Sequence, residues 1–225
     1  MLMPNYIFEN DFIEFEQLFR TRFPDTIHVK SGQVIIGPED PRKEYYYVIH
    51  GRASFVLRHE AGGAKVSSVR GQGTIFPLFY NFPSTNIERV LEVKARSNME
   101  LIVMPREDLL NLMLETPGIG VAMCDAYGKY TTLLLHEMTN ILFDSVHIRV
   151  CDFLALQTQT SGDHISMTHD DIAELTGTTR ATVTRVLNDL KNNEVISMSR
   201  KKIHILSREK LLAGCSYAVN QNTNA

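Results

Sequence analysis

Two clusters in the C-terminal third hold residue types that can do chemistry. Thr168-His169-Asp170-Asp171, with His164 just upstream, places two imidazoles and two carboxylates close together, which invites a metal-binding or acid–base reading. The same four residues also form a helix start, with a hydroxyl at the N-cap and an acid three residues on, and this capping box accounts for Asp171 more economically. The second cluster is basic. Thr178–Lys210 carries Arg180, Arg185, Lys191, Arg200, Lys201, Lys202, Arg208 and Lys210 against Asp189, Glu194 and Glu209, a local balance of +5 within a chain of net charge −3. Phosphate attraction follows the local face rather than the chain total, so this segment is a candidate for nucleic acid. A solvated charged surface would show the same composition.

Other chemistries fare less well. Nucleophile elbow, phosphate loop, HExxH and paired-carboxylate patterns are missing, so the chain reads as no enzyme. Cys124, Cys151 and Cys215 lack metal-type spacing, and an iron–sulfur cluster near the N-terminus would need cysteines before Cys124. His28, His50, His59 and His136 stand in no recognisable haem-ligating setting, so no cofactor and no metal are expected. An odd, sparse cysteine count suits a reducing cytoplasm. Acidic residues stud the first twenty positions, unlike a signal peptide, and no apolar run reaches the roughly 18 residues of a spanning helix, so a soluble intracellular protein without membrane contact is expected. At 225 residues, 44% hydrophobic and 22% charged, the chain has the composition of one or two ordinary globular domains.

Three kinds of element must position these residues. From Thr26 to Met104, short apolar strands such as EYYYVIHGRASFVL alternate with turns, including Gly62-Gly63 and Ser97-Asn98, which reads as a small barrel or double-sheet roll. From Pro117 to Phe143 the period becomes helical: Gly120, Tyr127, Leu134 and Ile141 recur every seven residues, flanked by Met123, Tyr130 and Met138. A helix that long needs a large surface, so one face is expected on the roll and the heptad seam on a second copy of the chain. Asp144 is expected to cap a further helix, Ser145–Leu156. A short helix then ends at Gly177, and Arg180–Asn192 follows with Val183, Val186, Leu187 and Leu190 inward. Small Ala173, Gly177 in the turn and Val183 as anchor have the spacing of a helix-turn-helix. Val195–Met198 and Ile203–Leu206, joined across Arg200, Lys201 and Lys202, read as a basic β-wing.

The segment MTHDDIAELTGTTRATVTRVLNDLKNNEVISMSRKKIHIL resembles the winged helix-turn-helix of the CRP/FNR superfamily of bacterial transcription regulators, and the upstream order of roll, long helix and a hinge-like Leu142-Phe143-Asp144 is similar too. The resemblance implies an α+β chain with a jelly-roll-like effector domain over residues 1–116, a dimerisation helix over 117–143 and a DNA-binding domain over 144–225. It further implies a homodimer on a palindromic operator in double-stranded DNA, with RNA polymerase as a partner if it activates. Arg180 and Arg185 match base-reading positions, where arginine binds guanine O6 and N7. Ala181 stands where many relatives carry a glutamate that accepts from cytosine, so a half-site with an A·T pair in place of G·C is expected. Thr168, His169, Thr179, Thr182 and Thr184 match phosphate-contacting or capping positions, and Arg200, Lys201 and Lys202 would reach phosphates from the wing.

In the roll the family's cyclic-nucleotide pattern is broken: Pro77 replaces a glutamate, Val90 a serine, and Leu133 and Leu134 the hydroxyl residues that would meet adenine. Only Arg89 remains, so cyclic AMP is not expected. The expected effector is a small molecule of aromatic or phenolic character, similar to those sensed by the branch that recognises halogenated phenols, lined by Phe76, Tyr80, Tyr127, Tyr130 and Leu134 (with Phe79 and Phe82 nearby) and held by Arg89 or Lys129. Two alternatives stay open: a winged helix that binds protein, and a redox-triggered regulator working through its thiols.

Overall fold

Strand Glu44–His50 (β4) is apolar almost throughout because both its faces are covered. The computed structural model describes residues 6–37, 44–58, 64–78, 91–199, 201–216 and Val219, and it divides into two units, one mainly of residues 5–59 and 66–134 and the other mainly of residues 135–225. The division falls at Leu134, inside the long helix.

The N-terminal unit opens with β1 (Ile7–Phe8), a 3-10 turn and α1 (Glu16–Arg22), then runs through β2 (Thr26–Val29), β3 (Val34–Ile36), β4, β5 (Ala53–Arg58), β6 (Ala64–Arg70), β7 (Ile75–Phe76), β8 (Leu91–Ala95) and β9 (Met99–Pro105) to α2 (Arg106–Glu115) and α3 (Pro117–Phe143). The strands form two sheets, ordered β1-β6-β5-β8-β3 and β2-β9-β4-β7. Val48, Met99 and Leu101 pack with Phe55, Leu91 and Val93 of the other sheet. From the opposite face of the four-stranded sheet, Tyr45, Tyr47, Ile49, Ile102 and Met104 pack on the helices, joined by Phe19, Leu109, Leu112, Ile119, Met123, Ala126, Tyr130 and Leu133. The period of two sends alternate side chains to two separate cores. This is the expected double-sheet roll.

Helix α3 has the bounds its periodicity predicts. Ile119, Met123, Ala126, Tyr130 and Leu133 are buried on the roll, whereas Tyr127, Leu134, Met138 and Ile141 remain 39–54% exposed. The heptad residues and the buried residues are therefore adjacent stripes, with Met123 and Tyr130 on the roll side and Met138 on the open side.

The C-terminal unit contains α4 (Val146–Ser161), β10 (His164–Ile165), α5 (His169–Thr176), α6 (Arg180–Asn192), β11 (Ile196–Ser199), β12 (Lys202–Ile205) and α7 (Arg208–Ala213). The cap of α4 is Ser145, not Asp144: the Ser145 hydroxyl accepts from the Ile148 amide at 3.3 Å. Asp144 instead ends α3, its amide donating to the Asn140 carbonyl. Val150, Leu154, Ile172, Val183, Leu187, Leu190, Ile203 and Leu211 form the core of this unit. A third strand, β10, pairs with β12 and stacks the His164 and His204 rings 4.3 Å apart.

Candidate functional site

Helix α5 begins with both halves of the capping box: the Asp171 amide donates to Thr168 Oγ1 at 3.1 Å, and the Thr168 amide donates to Asp171 Oδ2 at 2.8 Å. The Thr168 hydroxyl also donates to that carboxylate at 2.6 Å. Its single hydrogen is thereby engaged, so Thr168 acts as a cap. Gly177 ends α5 with φ +66°, a left-handed conformation that L side chains adopt reluctantly, and this lets the chain turn at once into α6. Thr179 caps α6, accepting from the Thr182 amide at 3.2 Å, with the two hydroxyls 2.9 Å apart.

The buried face of α6 is Val183, Val186, Leu187 and Leu190. At 100° per residue, Ala181 and Arg185 fall on the opposite side and Thr184 on its edge, whereas Arg180 lies nearer the buried face and owes its exposure to its place as the first residue of the helix; all are exposed except the half-buried Thr184. The Thr184 hydroxyl donates back to the Arg180 carbonyl at 2.9 Å and lies 2.8 Å from His169 Nδ1. With its hydrogen used on the carbonyl, Thr184 must accept from His169, which puts a proton on Nδ1. Arg180, 70% exposed, stands 3.8 Å from the Asp170 carboxylate, a loose surface pair of small energetic weight.

Strands β11 and β12 close the wing with Ser199 opposite Lys202, and Lys201 sits in the turn at φ +57°. A cleft of about 300 Å³ between the starts of α5 and α6 and this wing is lined by Thr168, His169, Asp170, Arg180, Lys201 and Lys202 among others. It thus gathers five of the expected DNA-facing residues, while Ala181, Thr182, Thr184 and Arg185 lie along the helix beyond it. Arg200 falls outside the described residues.

In the roll, Phe76 is fully buried between the sheets, its ring 5.4 Å from Tyr46 and 5.7 Å from Phe55. Tyr130 is buried on the roll side of α3 and meets Phe8 edge-on. Tyr127 and Leu134, 39% and 40% exposed, belong to the open side of the helix. Lys129 is largely exposed and ion-paired at 2.6 Å with Asp11, so its charge is already answered. Arg89, Tyr80, Phe79, Phe82 and Val90 lie outside the described residues. Burial pushes the Cys151 thiol up to about 12 and raises Cys215 as well, which keeps both protonated and unreactive at neutral pH. Among the described residues no group of three or more His, Cys, Asp or Glu could hold a metal ion, and no helix is long and apolar enough to cross a membrane.

Two family models match this architecture in order: a cyclic nucleotide-binding domain over residues 26–116 and a Crp-like helix-turn-helix domain over residues 148–213. The chain belongs to the CRP/FNR superfamily of transcription regulators. Its curated relatives are regulators, not enzymes. The global nitrogen regulator of Nostoc sp. is 26% identical over 202 residues, covering 85% of this chain and 90% of that one. Among solved structures, the c-di-GMP-responsive regulator CLP of Xanthomonas campestris superposes with a TM-score of 0.73 at 19% identity, covering 87% of this chain and 99% of its own. CprK in complex with OCPA superposes with a TM-score of 0.68 at 16% identity, covering 93% and 100%.

The regulator is thus a DNA-binding protein with an effector domain, and two of its residues carry more than their sequence context announces. Asn188, exposed and seven residues after Ala181, shares the outer face of α6. Heptad spacing from Ala181 is the signal that finds it. Arg70, the last residue of β6, is only 2% exposed, with its guanidinium carbon 4.1 Å from the Phe8 ring centre and 5.1 Å from that of Tyr130. An arginine closing the run KVSSVR reads as a strand-end surface charge, and only the packing shows it to be internal.

Proposed function

We propose that this regulator binds a palindromic operator as a homodimer, one α6 in each of two major grooves a helical turn (~34 Å) apart, and that a small organic molecule other than cyclic AMP, of aromatic or phenolic character, controls it from the roll. The observation that carries the reading is the division of α6 into a buried Val183–Leu190 face and an exposed face bearing Ala181 and Arg185, with Arg180 exposed at the start of the helix. Arginine is suited to guanine, and Ala181 offers a methyl group to thymine but nothing to accept from cytosine. The exposed stripe of α3 supports self-association. Leu133, fully buried in the roll core, has no hydroxyl to offer an adenine, which supports an effector other than a cyclic nucleotide. CprK, a relative in fold, was solved with o-chlorophenolacetic acid. The effector acts by binding one arrangement of the dimer more tightly than another. The protein works in the cytoplasm, and RNA polymerase is its partner where an operator adjoins a promoter. The test is selection of random duplex DNA by the purified protein at moderate salt, with and without a panel of aromatic and phenolic acids. A palindrome enriched with one compound is expected. Enrichment indifferent to every compound refutes the control by effector, and no enrichment at all refutes the DNA-binding role in favour of a protein-binding winged helix.

A further inference from the structure

Strand β6 ends in a buried arginine whose Nε has no hydrogen-bond partner among the described residues. Val66, Ser68 and Arg70 alternate onto one face of the strand, and residues 66–70 are all buried. Arg70 pairs in register with Phe8 of β1, and its guanidinium lies within 6 Å of three ring centres, those of Phe8, Tyr130 and Phe55. Aromatic faces attract a cation when water is excluded, but they carry no net charge and offer no lone pair to an N–H. Among the described residues no hydrogen bond reaches the Arg70 Nε, which is fully buried. Tyr130 and then the Asp11 carboxylate act on it through space, and that carboxylate is held by Lys129 at 2.6 Å. Burial lowers Arg70 to about 10, which still leaves it charged at neutral pH. Burying a cation without a counter-ion is costly, and proteins otherwise pair such groups.

We propose that the guanidinium of Arg70 is the receptor for a carboxylate on the effector. This rests on the effector-controlled reading above and assigns its anion-binding group, in place of Lys129, which is already paired. The class follows from the surroundings. One buried positive charge is balanced by one negative charge, so a monocarboxylate fits better than a phosphate dianion. The fork of the guanidinium matches a carboxylate in two parallel hydrogen bonds. The rings of Phe8, Phe55 and Tyr130 suit an apolar, aromatic body beside it. Ser68, two residues earlier on the same face and about 6.6 Å along the strand, has a buried Oγ that likewise lacks a partner among the described residues. A ligand with a hydroxyl at the far end from its carboxylate would satisfy both.

The experiment uses the full-length protein and Arg70→Met, which keeps the length of the side chain and removes the charge. Binding of 4-hydroxyphenylacetate, its neutral amide and inorganic phosphate is measured by calorimetry, and melting temperature is followed in parallel without ligand. The expected result is that the acid binds, that the amide and the Met variant each bind roughly 10- to 100-fold more weakly, and that the free variant melts no lower than the wild type, because an unanswered buried charge has been removed. Equal binding of the acid by wild type and variant overturns the assignment while leaving effector control intact, as does phosphate binding as tightly as the acid. A variant that melts well below the wild type also overturns it, by showing Arg70 to be a structural anchor. Failure of the acid to bind the wild type overturns the carboxylate class, and the DNA selection with its wider panel shows separately whether effector control falls too.

Discussion

Replacing Leu134 and Ile141 together by Ala tests whether the open stripe of α3 is a subunit seam. Leu134 is 40% exposed and Ile141 50%. Fully burying such a side chain contributes about 1.5–3 kcal/mol, so covering the exposed fraction contributes about 0.6–1.5 kcal/mol for each. In a twofold interface every residue counts twice, and the pair of substitutions should weaken the dimer by about 3–5 kcal/mol, a rise in dissociation constant of roughly 100- to 4,000-fold. Folding of the roll should be little affected, since its contacts with α3 run through Ile119, Met123, Ala126, Tyr130 and Leu133. Val121→Ala is the control: Val121 is 63% exposed but is turned about 100° from Gly120 and the seam, so its removal should leave association unchanged. Sedimentation equilibrium of the three proteins measures this directly. A double variant whose dissociation constant stays within about threefold of the wild type would refute the seam, and so would a wild-type chain that remains monomeric at tens of micromolar.

Three further outcomes are expected. Arg185→Ala should lose about 1–3 kcal/mol on the selected operator and relax preference at one base pair, whereas Lys202→Ala should weaken all sequences alike and lower the salt slope by about one; fluorescence anisotropy across a salt series separates the two. Thr168→Ala removes the cap of α5 and should cost the C-terminal unit about 1 kcal/mol in a thermal melt, with Thr168→Ser recovering most of it. Burial raises the Asp152 carboxyl above its ordinary value even though the Ser216 amide donates to it at 2.8 Å. A raised folded value means that the protonated form suits the fold, so this contribution is full below the ordinary aspartate range and is lost as pH rises through the folded value. Asp152→Asn keeps an acceptor for Ser216 without the charge, so it should melt higher than the wild type at pH 7 and lose that advantage as pH falls toward 4. An advantage independent of pH would refute the argument.

What the sequence determined by itself is whatever local chemistry dictates. Thr168 and Asp171 three apart, Gly177 after the last apolar turn, and Thr179 before Arg180 specify caps and a turn through bonds spanning four residues or fewer, and the helices they delimit lie where the residues place them. The Pro117–Phe143 helix is likewise legible from its period. Boundaries without a dominant local signal were less so: Asp144 and Ser145 are both good caps, and only the geometry of the Asn140 carbonyl and the Ile148 amide gives the role to serine. The short helices Glu16–Arg22, Arg106–Glu115 and Arg208–Ala213 escape a sequence reading because their stability comes from Phe19, Leu109, Leu112 and Leu211 reaching distant cores, and a helix of about three turns or fewer has little stability of its own. The tertiary structure alone decided which side of α3 meets the roll and that Lys129 is paired with Asp11. It also decided that the arginine ending β6 lies inside among aromatic rings. Charge and burial at such positions depend on residues far away in the chain, such as Asp11 for Lys129 and Phe8 and Tyr130 for Arg70, and no local pattern carries that information.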